Sequence, residues 1–171
     1  MPQNASIYLF RRSRSRRCLQ LFVVQLSHNG KWTTPGGIID PGDRSPFAAA
    51  RREFFEEVGV NCPFLKSYVY YFYNGHTHLY IARVDDWNPP SIIQTNETMD
   101  GKFHDVSSCL LTKRVKMPHY TINSLREIMA RPNIVNYLTS RGLVRVRSAI
   151  VPYRKPVTMH HHAQYVRGGG V

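Results

Sequence analysis

Ser45-Pro46 and Gly59 bracket the helical text "FAAARREFFEEV", and no other stretch of the 171 residues constrains the fold as tightly. The Ser hydroxyl can accept an amide hydrogen left unpaired at a helix start, and Pro fits the first helical position without losing a bond. Gly59 supplies a left-handed stop. The spacing therefore predicts a helix of about three turns. Its small Ala48, Ala49 and Ala50 allow close approach to a neighbouring sheet, while Phe54 and Val58 share one face. On this helix Glu53, Glu56 and Glu57 stand three and four residues apart and project toward one region of space. Like charges held together raise one another's pKa and oppose the helix unless a cation neutralises them. Arg52 can pair with Glu56 at the four-residue spacing, but it cannot serve all three carboxylates. Hard oxygen donors in this number suit Mg²⁺ or Mn²⁺, which recruit a substrate's phosphates as further ligands.

Around this helix the chain is rich in strand signals. Ser6 to Phe10 and Leu19 to Leu26 read as two strands joined by the charged loop "RRSRSRRC". The region from Phe64 to Val84 is strand-like, and Asn74-Gly75 marks a hairpin turn. Its aromatic crowd, Tyr68, Tyr70, Tyr71, Phe72 and Tyr73, is expected to be a strand buried on both faces rather than a base-stacking platform. "DDWNPPSIIQTNETMDGK" is expected to be a loop around a short strand, and "FHDVSSCLL" a last strand with its exit. "INSLREIMA" and "NIVNYLTSRG" then form helical pieces broken at Pro132. Residues 1–145 read as one domain. Residues 146–171 read as a basic, His- and Gly-rich tail, ordered only if it docks, with His160 to His162 solvated.

Against this acidic helix stands a strong basic excess, 23 Lys and Arg against 11 Asp and Glu, for a formal net charge of +12. Such an excess attracts polyanions: nucleic acid, nucleotides, inositol phosphates or a membrane surface. Cys18, Cys62 and Cys109 are odd in number and widely spaced, so reduced thiols are expected rather than a disulfide framework or a zinc site. There is no signal-peptide pattern and no run of about 20 apolar residues. These features predict a soluble, intracellular protein, cytoplasmic or nuclear, with no membrane partner. They leave the oligomeric state open.

The stretch from Gly37 to Val60 resembles the signature of Nudix hydrolases: Gly, five residues, Glu, seven residues, then Arg-Glu-aliphatic-any-Glu-Glu-any-Gly-aliphatic. Gly37 opens it, Asp43 takes the first acidic place, and "REFFEEVGV" from Arg52 to Val60 matches every defined place with Phe54 as the apolar one. Two departures stand out. Eight residues rather than seven separate Asp43 from Arg52, and Asp40 and Asp43 replace the usual glutamates. The surplus residue is expected at Arg44 or Ser45, where a loop absorbs it without rotating the helical glutamates.

The resemblance implies an α/β fold, a mixed sheet sandwiched between helices, and hydrolysis of a diphosphate linkage. It implies a divalent cation held by Glu53, Glu56, Glu57 and the Gly37 carbonyl, and a general base at Glu56 or at Glu97 in "TNETMDG". Gly36 and Gly37 would shape a turn near the phosphates. In such a fold the loop bearing Arg11, Arg12, Arg14, Arg16 and Arg17 can border the cleft, and Lys102, Lys113, Arg114 and Lys116 follow the later loop. Arg11, Arg12, Arg17, Lys102 and Lys116 are therefore candidate substrate contacts. The arrangement looks loosely like the branch that hydrolyses inositol pyrophosphates and dinucleoside polyphosphates. Messenger-RNA decapping enzymes of the family suit +12 equally, through salt-dependent contact with RNA phosphates. A third reading, from a different class, is an inactive module that binds nucleotide or RNA.

Overall fold

The computed structural model describes residues 2–64, 66 and 69–144; the expected tail lies outside them. Along these residues the chain runs β1 (Asn4–Arg12), β2 (Leu19–Leu26), β3 (Trp32–Thr33), β4 (Gly36–Ile38), α1 (Pro46–Val58), β5 (Tyr70–Tyr73), β6 (Thr77–Arg83), β7 (Thr98–Asp105), α2 (Val106–Leu110), α3 (His119–Met129) and α4 (Pro132–Thr139).

β1 is apolar on both sides, and it sits in the middle of the sheet accordingly. Ala5, Ile7 and Leu9 pack with Ala49, Ala50 and Phe54 of α1. Tyr8 and Phe10 pack on the opposite face with Leu125 and Ile128 of α3 and Ile134 and Leu138 of α4. The strand order is β3-β2-β1-β6-β5, with β4 on β1 and β7 on β2. β6 is parallel to β1, pairing Asn4 with Thr77 and Phe10 with Arg83, while the other pairs are antiparallel. The result is a mixed sheet between helical layers, as expected.

The helix that anchors the sequence reading forms over the expected span. The Ser45 hydroxyl accepts the Ala48 amide at 3.1 Å, and Gly59 closes the helix at φ 85°. A cap of this kind contributes about 1 kcal/mol. Cys18, Cys62 and Cys109 are free thiols.

Two expectations need correction. β5 is an edge strand that begins at Tyr70; only Phe72 is buried, and Tyr71 and Tyr73 are exposed. An edge strand has a neighbour on one side only, and its aromatics stack on His78 and Tyr80 instead of entering a second layer. The last strand also starts earlier, at Thr98, and the "VSSCL" read as its exit is α2. Backbone pairing to β2 needs no apolar side chain, so the polar Asp100, Gly101 and Lys102 pass as strand without an apolar signature.

One buried cation joins the end of the sheet to the last helix. Arg83, 1 % exposed, donates to the carbonyls of Leu138, Ser140 and Gly142 at 3.1, 2.8 and 2.9 Å, serving acceptors that a helix end leaves open. Its other side binds both oxygens of Asp85. The Asp85 carboxylate also accepts the amides of Arg12 and Val144. Burial alone would raise the Asp85 pKa, but Arg83 and these amides outweigh it and hold the carboxyl below its ordinary value.

Candidate functional site

α1 delivers Glu53 and Glu57 toward β4, where Gly37 leaves room for Glu53 and Gly36 meets Glu57 through its amide. A Cβ on Gly37 would stand 2.5 Å from Glu53 Oε1, and one on Gly36 would strike Ser6 and the Ala5 carbonyl. The Gly36 amide donates to Glu57 Oε2 at 3.2 Å. Glu97 arrives from the residue before β7, positioned by its backbone: its carbonyl accepts the Ser27 amide, while the next hydroxyl, Thr98 Oγ1, donates to the Glu57 carbonyl at 2.7 Å. One carboxylate oxygen from each of Glu53, Glu57 and Glu97 then lies within 4.8 Å of the others.

Beside this trio sits a second group built on Arg52. Its guanidinium donates to both oxygens of Asp43 at 3.0 and 3.1 Å, to Glu53 at 3.0 Å, to Glu56 at 3.1 Å and to the Ile38 carbonyl at 3.1 Å. Asp40 lies 3.2 Å away. Asp43, 2 % exposed, also accepts the Asp40 amide, so it folds the Pro-Gly turn back onto the helix. The shorter acid and the extra spacer residue are compatible with this grip, because Arg44 and Ser45 precede the first helical turn.

Electrostatics divide the helix. Burial opposes the charge on Arg52, but Asp43, Glu53 and Glu56 outweigh it and hold the guanidinium protonated. Glu53 is pushed up to about 7, first by burial and then by Glu56 and Glu97, against the opposing pull of Arg52. Glu57 is pushed up to about 9 by burial, with Glu53 and Glu97 adding to the rise and the Gly36 amide opposing it. Carboxylates that resist ionisation this way mark a place built for a cation. All three donors are hard oxygens, which suits Mg²⁺ or Mn²⁺, and the glycine floor leaves their approach open.

A cavity of about 450 Å³ opens beside Glu57, lined by Asn4, Ser6, Thr33, Thr34, Gly36, Gly37, His76, Thr77 and Tyr120 among others. Among the described residues, no lysine or arginine lines it. Sequence reasoning did not single out Thr33, Thr34, His76 or Tyr120, because they come from three separate segments and the parallel pairing of β1 with β6 brings His76 and Thr77 beside β1.

Of the residues singled out beforehand, Glu53, Glu57, Glu97, Gly36 and Gly37 come together. Glu56 stands apart from the trio, exposed and turned to Arg52. Arg11, Arg12 and Arg17 lie at the other end of β1 from Asn4 and Ser6. There Arg11 bonds Gln20 and covers the Phe103 ring at 4.0 Å, and Arg12 and Arg17 line a separate cavity. Lys102 stands over the Trp32 ring at 5.1 Å, and Lys116 meets Trp32 through its carbonyl. None of these five cations lines the cleft.

The model of the NUDIX domain family matches residues 2–124. No curated protein matches the chain by sequence. Among solved structures, the NUDIX domain of Shewanella oneidensis NrtR, complexed with ADP ribose, is 18 % identical; it superposes with a TM-score of 0.57 over 77 % of this chain and 88 % of that one. A C. elegans Ap4A hydrolase binary complex is 17 % identical, with a TM-score of 0.55 over 76 % and 96 % of the two chains. A NUDIX hydrolase from Alicyclobacillus acidocaldarius is 13 % identical, with a TM-score of 0.57 over 84 % and 98 %.

Proposed function

This chain belongs to the Nudix hydrolase family, and on that premise we propose that it hydrolyses the diphosphate linkage of a nucleoside diphosphate derivative, such as a dinucleoside polyphosphate. The observation that carries this reading is the carboxylate trio, whose Glu57 lines a cleft that, among the described residues, has no lysine or arginine in its walls. An inositol pyrophosphate presents phosphates all round its ring and calls for surrounding cations. A nucleotide needs charge neutralisation only at its diphosphate, and uncharged or aromatic contacts suffice for the rest. Tyr120, exposed at the rim, offers a face on which a base can stack.

Glu53, Glu57 and Glu97 would hold Mg²⁺ or Mn²⁺, which when bound neutralises diphosphate oxygens and lowers the pKa of an attacking water. Gly37 leaves the Glu53 carboxylate the space that a Cβ would take, and Gly36 lets β4 lie against Ser6 and the Ala5 carbonyl of β1. Arg52 orients Glu53 and Glu56 while Asp43 anchors Arg52. Glu56, exposed outside the trio and held by Arg52, would take the water's proton.

The test is hydrolysis with Mg²⁺ of ADP-ribose, Ap4A, an inositol pyrophosphate and a capped RNA by the wild type and by Glu57→Gln. Turnover is expected for the nucleotides, with a loss of about 10³-fold in Glu57→Gln. Absence of turnover with every compound would leave a nucleotide-binding module. Preference for the inositol pyrophosphate would overturn the substrate assignment, as would preference for capped RNA with a steep fall in binding as salt rises.

A further inference from the structure

At the far end of β1, about 20 Å from Ser6 at the usual strand rise, lies a second cavity of about 450 Å³. Its walls come from three separate segments: Arg12, Ser13, Arg14 and Arg17 of the β1–β2 loop, Arg83 and Asp85 after β6, and Arg141, Gly142 and Leu143 after α4. Five arginines and a single carboxylate line it, and Arg83 is committed to that carboxylate, so Arg12, Arg14, Arg17 and Arg141 supply the remaining charge. That carboxylate is already saturated, since Asp85 binds Arg83 through both oxygens and receives the amides of Arg12 and Val144. Asp105, beside the start of β2, pairs with Arg16, outside the cavity lining.

Four arginines of one sign around a concave space repel each other, and an anion with several oxygens relieves them at once. The guanidinium fork matches phosphate oxygens geometrically, and convergent forks select a compact polyphosphorylated anion over a single charge. We propose that this basic cavity is a second phosphate-binding site, distinct from the carboxylate cleft, that takes a compact anion carrying two or three linked phosphates. The inference is independent of the function proposed for the cleft.

Inorganic tripolyphosphate is the probe, titrated calorimetrically into the full chain with a chelator present, so that the carboxylate cleft has no cation with which to hold phosphate. Arg14→Gln/Arg141→Gln is expected to weaken binding roughly tenfold or more. Lys113→Gln/Arg114→Gln removes the same charge outside the cavity and is expected to change binding less than about twofold. Leu143→Glu, which introduces a carboxylate at the rim, should abolish binding, and unchanged melting temperatures verify folding in each case. Equal losses in the two double variants would overturn the site as diffuse attraction to a basic chain. So would a short uncapped RNA whose binding falls in Arg14→Gln/Arg141→Gln while that of tripolyphosphate does not.

Discussion

Two buried arginines organise opposite ends of this molecule, and they differ in what surrounds them. Arg52 gathers Asp40, Asp43, Glu53 and Glu56, and the neighbourhood remains negative because Glu57 and Glu97 stand beside it with no ion pair among the described residues. Arg83 binds one aspartate and then turns to backbone carbonyls, so the arginines around it keep their charge. The cavity beside Glu57 and the cavity beside Arg83 have the same volume, about 450 Å³ each, yet among the described residues one has a carboxylate and no lysine or arginine in its lining and the other has five arginines. The same residue type thus supports sites of opposite sign, according to whether its partners are charged side chains or neutral dipoles.

The comparison can be broken by removing either hub. Arg52→Met leaves the buried Asp43 without a cation, and Arg83→Met does the same to Asp85; each is expected to lose about 3–5 kcal/mol in urea denaturation. Mg²⁺ should recover part of the loss in Arg52→Met and none in Arg83→Met, because only the first exposes surplus carboxylates to a cation. A smaller effect is expected from Gly37→Ala, whose methyl would displace Glu53: kcat/KM for the preferred nucleotide falls by about 10²-fold, with little change in melting temperature.

The weakest lever, pH, separates the two ends. Glu53 and Glu57 ionise at about 7 and about 9 in the metal-free fold. Above the ordinary carboxyl pKa the folded state therefore holds protons that the unfolded chain has released, and stability falls as pH rises toward 9. Asp85 has the opposite sign: its lowered pKa supplies stability that is present near neutrality and disappears in acid. Melting curves of metal-free protein should show both limbs. Saturating Mg²⁺ should flatten the alkaline limb, and Arg83→Met should remove the acid one.

Local chemistry was the legible part. Ser45, Pro46 and Gly59 marked α1, and Asn74-Gly75 marked the turn between β5 and β6, because capping and positive φ depend on adjacent residues. Glu53 and Glu57 were legible for the same reason, through helical spacing. What stayed hidden depends on register. That Glu97 reaches the trio follows from the pairing of β7 with β2, and that the arginine loop lies away from the cleft follows from the length of β1. Glu56 shares the helical spacing of its neighbours, but Arg52 competes for its carboxylate, and spacing alone does not rank competitors.

The parallel pairing of β1 with β6 also governs how the protein forms. Residue 4 must find residue 77 before the cleft can close around His76 and Thr77. Loop closure over such a span is entropically costly and slows folding, whereas α1 and the β5–β6 hairpin need only neighbours. During synthesis α1 emerges well before its sheet is complete, so the acidic and basic ends are separate acts of assembly joined by the last strand to dock on β1.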